Sequence, residues 1–126
     1  MSAYEFITRG RLHLELGKNE DAVMYFDLAL GADPENEIAW AGKGIAFVNL
    51  EKYQEAIDCF DRALKIDPKL AFAWEGKGVA LMRLGRVEDS LPFFNMALNV
   101  NPGFERALKN KRLALEKLGR TEEGKK

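Results

Sequence analysis

The chain repeats itself every 34 residues, and nothing else about it limits the possible folds so tightly. Pro34, Pro68 and Pro102 keep this step, and so do Trp40 and Trp74, with Phe6 one period upstream. Gly10, Gly44 and Gly78 follow it, as do Phe26, Phe60 and Phe94, and Ala29, Ala63 and Ala97. The series define three units, 3–36, 37–70 and 71–104, and an incomplete fourth that starts at 105. A unit this short has too little core of its own, so neighbours stacked in a row must supply the rest. With 126 residues and 47% apolar content the chain can bury a real core, and one domain over 1–126 is expected.

Within each unit the apolar spacing is helical. In the second, Ala39, Trp40, Lys43, Gly44, Ala46 and Phe47 share a face at steps of three and four. Glu51 and Lys52 interrupt the pattern, which resumes with Tyr53, Ala56, Ile57, Phe60, Ala63 and Leu64. Asp67-Pro68 closes the unit, because the residue before proline avoids the helical region. Gly17, Gly85 and Gly119 stand where first helices end, which suits a left-handed cap. Helices are therefore expected at 3–16, 20–31, 37–50, 54–65, 71–84, 87–99 and 105–118. Pro92 falls inside the sixth, where it predicts a local bend or a late helix start.

Chemistry is hard to find in these residues. His13 is the single histidine and has no second metal ligand near it in sequence. Cys59 is the single cysteine; it excludes an intrachain disulfide and fits a reducing compartment. The triplets Gly42-Lys43-Gly44 and Gly76-Lys77-Gly78 lack the hydroxyl residue and the strand-to-helix turn of a phosphate loop. No carboxylate pair is set apart for acid/base work. No apolar run reaches membrane-spanning length, and the first dozen residues carry Glu5, Arg9 and Arg11 rather than a signal segment. These readings predict a cytoplasmic protein without catalytic residues, metal or cofactor.

Charge is close to balanced, 19 basic against 20 acidic side chains, which argues against a nucleic-acid binder built on bulk charge. Its distribution is uneven. The first unit has three basic and seven acidic residues, net −4, and the second is −1. The third is neutral, and 105–126 has eight basic and four acidic residues, net +4.

The repeat resembles the tetratricopeptide repeat. Trp40, Gly44, Phe47, Ala56, Phe60 and Pro68 take its signature places in the second unit, and Trp74, Gly78, Leu81, Ser90, Phe94 and Pro102 in the third. The first unit has Phe6, Gly10, His13, Ala22, Phe26 and Pro34 there. Arg9, Lys43 and Lys77 replace the leucine usual before the signature glycine; a basic stem can lie on the helix interface with its charge in water. Trp40 and Phe60 are expected to share the core. The resemblance implies an all-α, right-handed superhelical solenoid of three helix-turn-helix repeats. A capping helix at 105–118 follows, with Ala107, Leu108, Ala114, Leu115 and Leu118 inward, and then a frayed tail at 119–126.

It also implies a function: a non-enzymatic protein-interaction scaffold that takes a peptide segment of a partner in an apolar concave groove. Carried onto this chain, the groove positions are Tyr4, Ile7, Arg11 and Leu14 in the first repeat. The second gives Ile38, Ala41, Ile45, Val48 and Asn49, and the third Phe72, Glu75, Val79, Met82 and Arg83. Family members that clasp the acidic C-terminal tails of chaperones use Lys, Asn and Arg at five positions that here read Ile7, Arg11, Gly42, Phe72 and Gly76. The frame one repeat on reads Ala41, Ile45, Gly76, Arg106 and Asn110. Both argue against chaperone tails as partners. The alternatives are head-to-tail self-assembly as a weak homo-oligomer through the opposite end charges, or an RNA-associated accessory using Lys109, Lys111, Arg112, Lys117 and Arg120.

Overall fold

A computed structural model describes residues 1–120; the rest of the expected frayed tail, 121–126, lies outside the described residues. Seven helices and no strand are present among the described residues: α1 (Ala3–Glu15), α2 (Asn19–Ala32), α3 (Glu37–Asn49), α4 (Tyr53–Ile66), α5 (Ala71–Arg83), α6 (Val87–Val100) and α7 (Glu105–Lys117). The fold is all-α, three helical hairpins and a seventh helix, with ends within about two residues of those expected. The chain forms two compact units, Met1–Pro68 and Lys69 onward.

Each first helix ends in the same way. At the end of α1 the Gly17 amide donates to Leu14 O (3.0 Å) and the Lys18 amide to His13 O (2.8 Å), with Gly17 at φ +74°. This paired closure recurs at Gly85 (φ +83°) and Gly119 (φ +71°). It uses a left-handed residue to satisfy carbonyls that the helix leaves open. In the second hairpin Glu51 takes that place at φ +61°, the one side-chain-bearing residue with positive φ among the described residues. The bonds are kept, Glu51 N to Val48 O at 3.0 Å and Lys52 N to Phe47 O at 2.8 Å. Helix starts are less uniform. Ser2 and Glu5 form a capping box on α1, and Asn36 accepts the Ala39 amide at 3.0 Å on α3. The second helices stop at Asp33, Asp67 and Asn101, each with an extended ψ imposed by the following proline. Pro92 neither delays nor interrupts α6, contrary to the late start considered for it.

In the first unit, the Phe26 ring is fully buried between α1 and α3. A Cβ on Gly10 would lie 2.7 Å from that ring and one on Gly42 2.5 Å from it, so both glycines exist to admit an aromatic face. Phe60 uses Gly44 in the same manner, at 2.8 Å. The Gly-Lys-Gly triplet is thus a packing feature of α3. Trp40, expected to share the core equally with Phe60, is only half-buried. Its Nε1 donates to Pro34 O at 3.0 Å, and the Arg62 guanidinium lies 4.8 Å from its ring centroid. An indole needs a partner for its N–H, which keeps its edge near the surface. Lys43 runs beside Trp40 and Phe47 and ends on Asp27 at 2.7 Å, so its charge sits in an ion pair rather than in open water.

In the second unit Phe94 is fully buried against Gly78, where a Cβ would meet the ring at 2.6 Å. Ser90 occupies the place of Ala22 and Ala56 and is fully buried, its hydroxyl donating to Val87 O at 2.6 Å. Helix α7 closes this unit on α5 and α6 with Ala107, Ala114 and Leu115 buried and Leu108 and Leu118 partly so.

Candidate functional site

Helical phase decides which of the expected groove residues can meet a partner. On α1, Tyr4 is 77% exposed and Arg11 is exposed, and with Thr8, Leu12 and Glu15 they line a shallow cleft of about 330 Å³. Ile7 and Leu14, on the adjoining flank, turn into the core around Phe26, and Ile38 of α3 packs there with them. Ala41 is fully buried, Ile45 and Val48 are half-buried, and Asn49 is exposed with its amide on Asn19 Oδ1 at 3.0 Å. In the second unit Arg83 is exposed, and Phe72, Val79 and Met82 are half-buried.

Glu75 behaves differently. It is 4% exposed, accepts a 2.6 Å hydrogen bond from Asn110 Nδ2 and pairs with Arg106 at 3.1 Å. Burial raises its carboxyl above the usual range, opposed by the Arg106 charge and by the hydrogen bonds from Arg106 and Asn110. A buried carboxylate with its acceptors filled joins α5 to the closing helix. The sequence held one signal for this contact. Arg106 and Asn110 stand one period after Phe72 and Gly76, charged and polar residues at places where the second and third repeats have Ile38 and Phe72 or Gly42 and Gly76.

Other reactive side chains are accounted for by packing. The His13 ring sits 4.8 Å from the Tyr25 ring, with Nδ1 2.8 Å from Arg9 O. Cys59 is buried, and desolvation pushes its thiol up to about 11, so little thiolate forms at neutral pH. It borders a cleft of about 300 Å³ with Trp40, Lys43, Phe47 and Arg62. Among the described residues no three of His, Cys, Asp and Glu gather as a metal site, and no helix is long and apolar enough to cross a membrane. Of the basic residues named for RNA, Arg120 is paired with Glu88 at 3.1 Å.

Comparison with known proteins agrees with this geometry. The family model described as tetratricopeptide repeat matches residues 7–71. No curated protein matches the chain. Among solved structures, the first TPR of Spaghetti (RPAP3) bound to the HSP90 peptide SRMEEVD is 20% identical. It covers 94% of this chain and 94% of that one, with a TM-score of 0.89. The second TPR domain of human RPAP3, in complex with the HSP70 peptide SGPTIEEVD, is 25% identical, covers 89% and 93%, and gives 0.83. The Sgt2 TPR domain from Aspergillus fumigatus is 17% identical, covers 93% and 79%, and gives 0.88. The exclusion of chaperone tails as partners is thereby corrected, since domains of this same fold hold HSP90 and HSP70 peptides. The physical reason is that five side chains are too few to exclude a ligand class: Arg11 is exposed among them, and Arg83, outside them, is a further exposed cation on a first helix.

Proposed function

Because the chain belongs to the tetratricopeptide repeat family, we propose that it is a non-enzymatic scaffold that holds a peptide segment of a partner protein on its first helices. The observation that carries this reading is the α1 face of the first unit. There an aromatic ring, Tyr4, stands 77% exposed beside Arg11, although an exposed ring contributes little to folding. Tyrosine gives a large contact area at low entropic cost, and arginine gives a directed charge, the pair of residue types that binding surfaces favour. Ile45 and Val48 on α3 add half-buried apolar area. By the 34-residue equivalence Val79 and Met82 on α5 offer the same, with Arg83 as a second exposed cation. Ile7, Ala41 and Glu75 drop out as contacts, being committed to the interior.

The cations suit a peptide with acidic side chains, and the two chaperone peptides held by domains of this fold supply probes of that chemistry. The test is a titration of SRMEEVD, SGPTIEEVD and an array of apolar–acidic segments against the native chain. The variants are Tyr4→Ala, Arg11→Glu and Arg83→Glu, chosen because exposed positions leave the fold intact. A hit from the array should lose at least tenfold in affinity in Tyr4→Ala and Arg11→Glu with unchanged helical circular dichroism. Unchanged affinity in both would remove the α1 face from the site.

A further inference from the structure

Of the exposed helix faces on the described surface, those of α2 and α7 are opposite in charge. On α2, Glu20 and Asp21 are exposed ahead of Met24 (48% exposed) and Leu28 (44%), a stripe at helical spacing that combines acid with apolar area. On α7, Lys109, Leu113 (41% exposed) and Lys117 form the matching stripe, basic at both ends with an apolar centre. The units that carry them have the opposite extremes of charge, −4 over 3–36 and +4 over 105–126.

We propose that the α2 face of one molecule docks on the α7 face of a second copy, so that the protein associates head to tail. Antiparallel alignment sets Glu20 beside Lys117, Met24 beside Leu113 and Leu28 beside the methylene stem of Lys109, so charge and apolar positions match through two turns. Glu20 lies in the first turn of α2 and Lys117 in the last turn of α7, so each charge also complements the dipole of its own helix. The two faces differ, so the contact is heterologous: each molecule keeps one face open after pairing, and chains rather than closed dimers form. Attraction of opposite faces weakens as salt screens them.

Sedimentation of the native chain at rising concentration tests this, at about 20 mM and about 500 mM salt, which bracket strong and weak screening. The weight-average mass should climb with concentration at low salt and fall back toward the monomer at high salt. Glu20→Lys with Asp21→Lys should stay monomeric, as should Lys109→Glu with Lys117→Glu, each with native helicity. Mixed in equal amounts, the two variants should associate again, because each then offers the face that the other needs. A native chain that stays monomeric throughout overturns the proposal. So does a variant that associates by itself as the native chain does, or a mixture that stays monomeric.

Discussion

At the scale of single residues, the bulky signature positions divide the work unequally. Phe60 is fully buried against Gly44, and Phe60→Ala should cost about 3–5 kcal/mol in urea unfolding. Trp40 is half-buried and satisfied at its edge by Pro34 O, so Trp40→Ala should cost clearly less than Phe60→Ala in the same measurement. The sequence marked both residues by period and could not rank them. Spacing reports which side of a helix a residue occupies, while the ranking depends on where the indole N–H finds its acceptor. Glu51 is the second lesson at this scale. It was legible as a break in the pattern, but only the backbone shows that it stands at φ +61° at the place where the ends of α1, α5 and α7 have glycine. Relieving a left-handed non-glycine gains about 1–2 kcal/mol, reduced by the extra freedom that glycine gives the unfolded chain. Glu51→Gly should therefore raise the unfolding midpoint by an amount equivalent to roughly 1 kcal/mol, and a fall would show that the Glu51 side chain stabilises the turn.

The helix α7 shows what spacing leaves unread at the scale of elements. Its apolar stripe was evident, yet its anchor to α5 is the polar contact of Glu75 with Arg106 and Asn110. A glutamate on a first helix invites assignment to the solvent side, and only the partner residues one repeat later turn it inward. Glu75→Ala leaves the Asn110 amide without its acceptor, which should cost about 1–3 kcal/mol and speed amide exchange in α7 more than in α5. Because burial holds the Glu75 carboxyl above its ordinary value of 4.5, the folded state takes up this proton more readily than the unfolded chain. The stability that results is complete in acid below that value and fades as pH rises through the folded-state value. Glu75→Gln should remove this decline, giving a flatter stability profile above pH 4.5 than the native chain; an unaltered slope would mean that another group sets it.

For the molecule as a whole, the sequence disclosed the fold almost completely and the site only in outline. A strict period fixes helix number, order and ends, since packing of ring on glycine recurs each time. Exposure is not periodic in the same way. Ile7 and Ala41 share the helical phase of the expected groove positions, yet both are buried, while Tyr4 stands 77% exposed. The partner class fared worst, because comparison of a few side chains cannot weigh a whole surface. The Phe26 ring touches the Gly10 site of its own hairpin and the Gly42 site of the next first helix, so withdrawing it opens two seams at once. Melting of α1 and α2 must then loosen α3, and the first 68 residues should lose their amide protection as one cooperative block. Phe26→Ala should split that block into separate steps, with α1 and α2 opening at lower denaturant than α3 and α4.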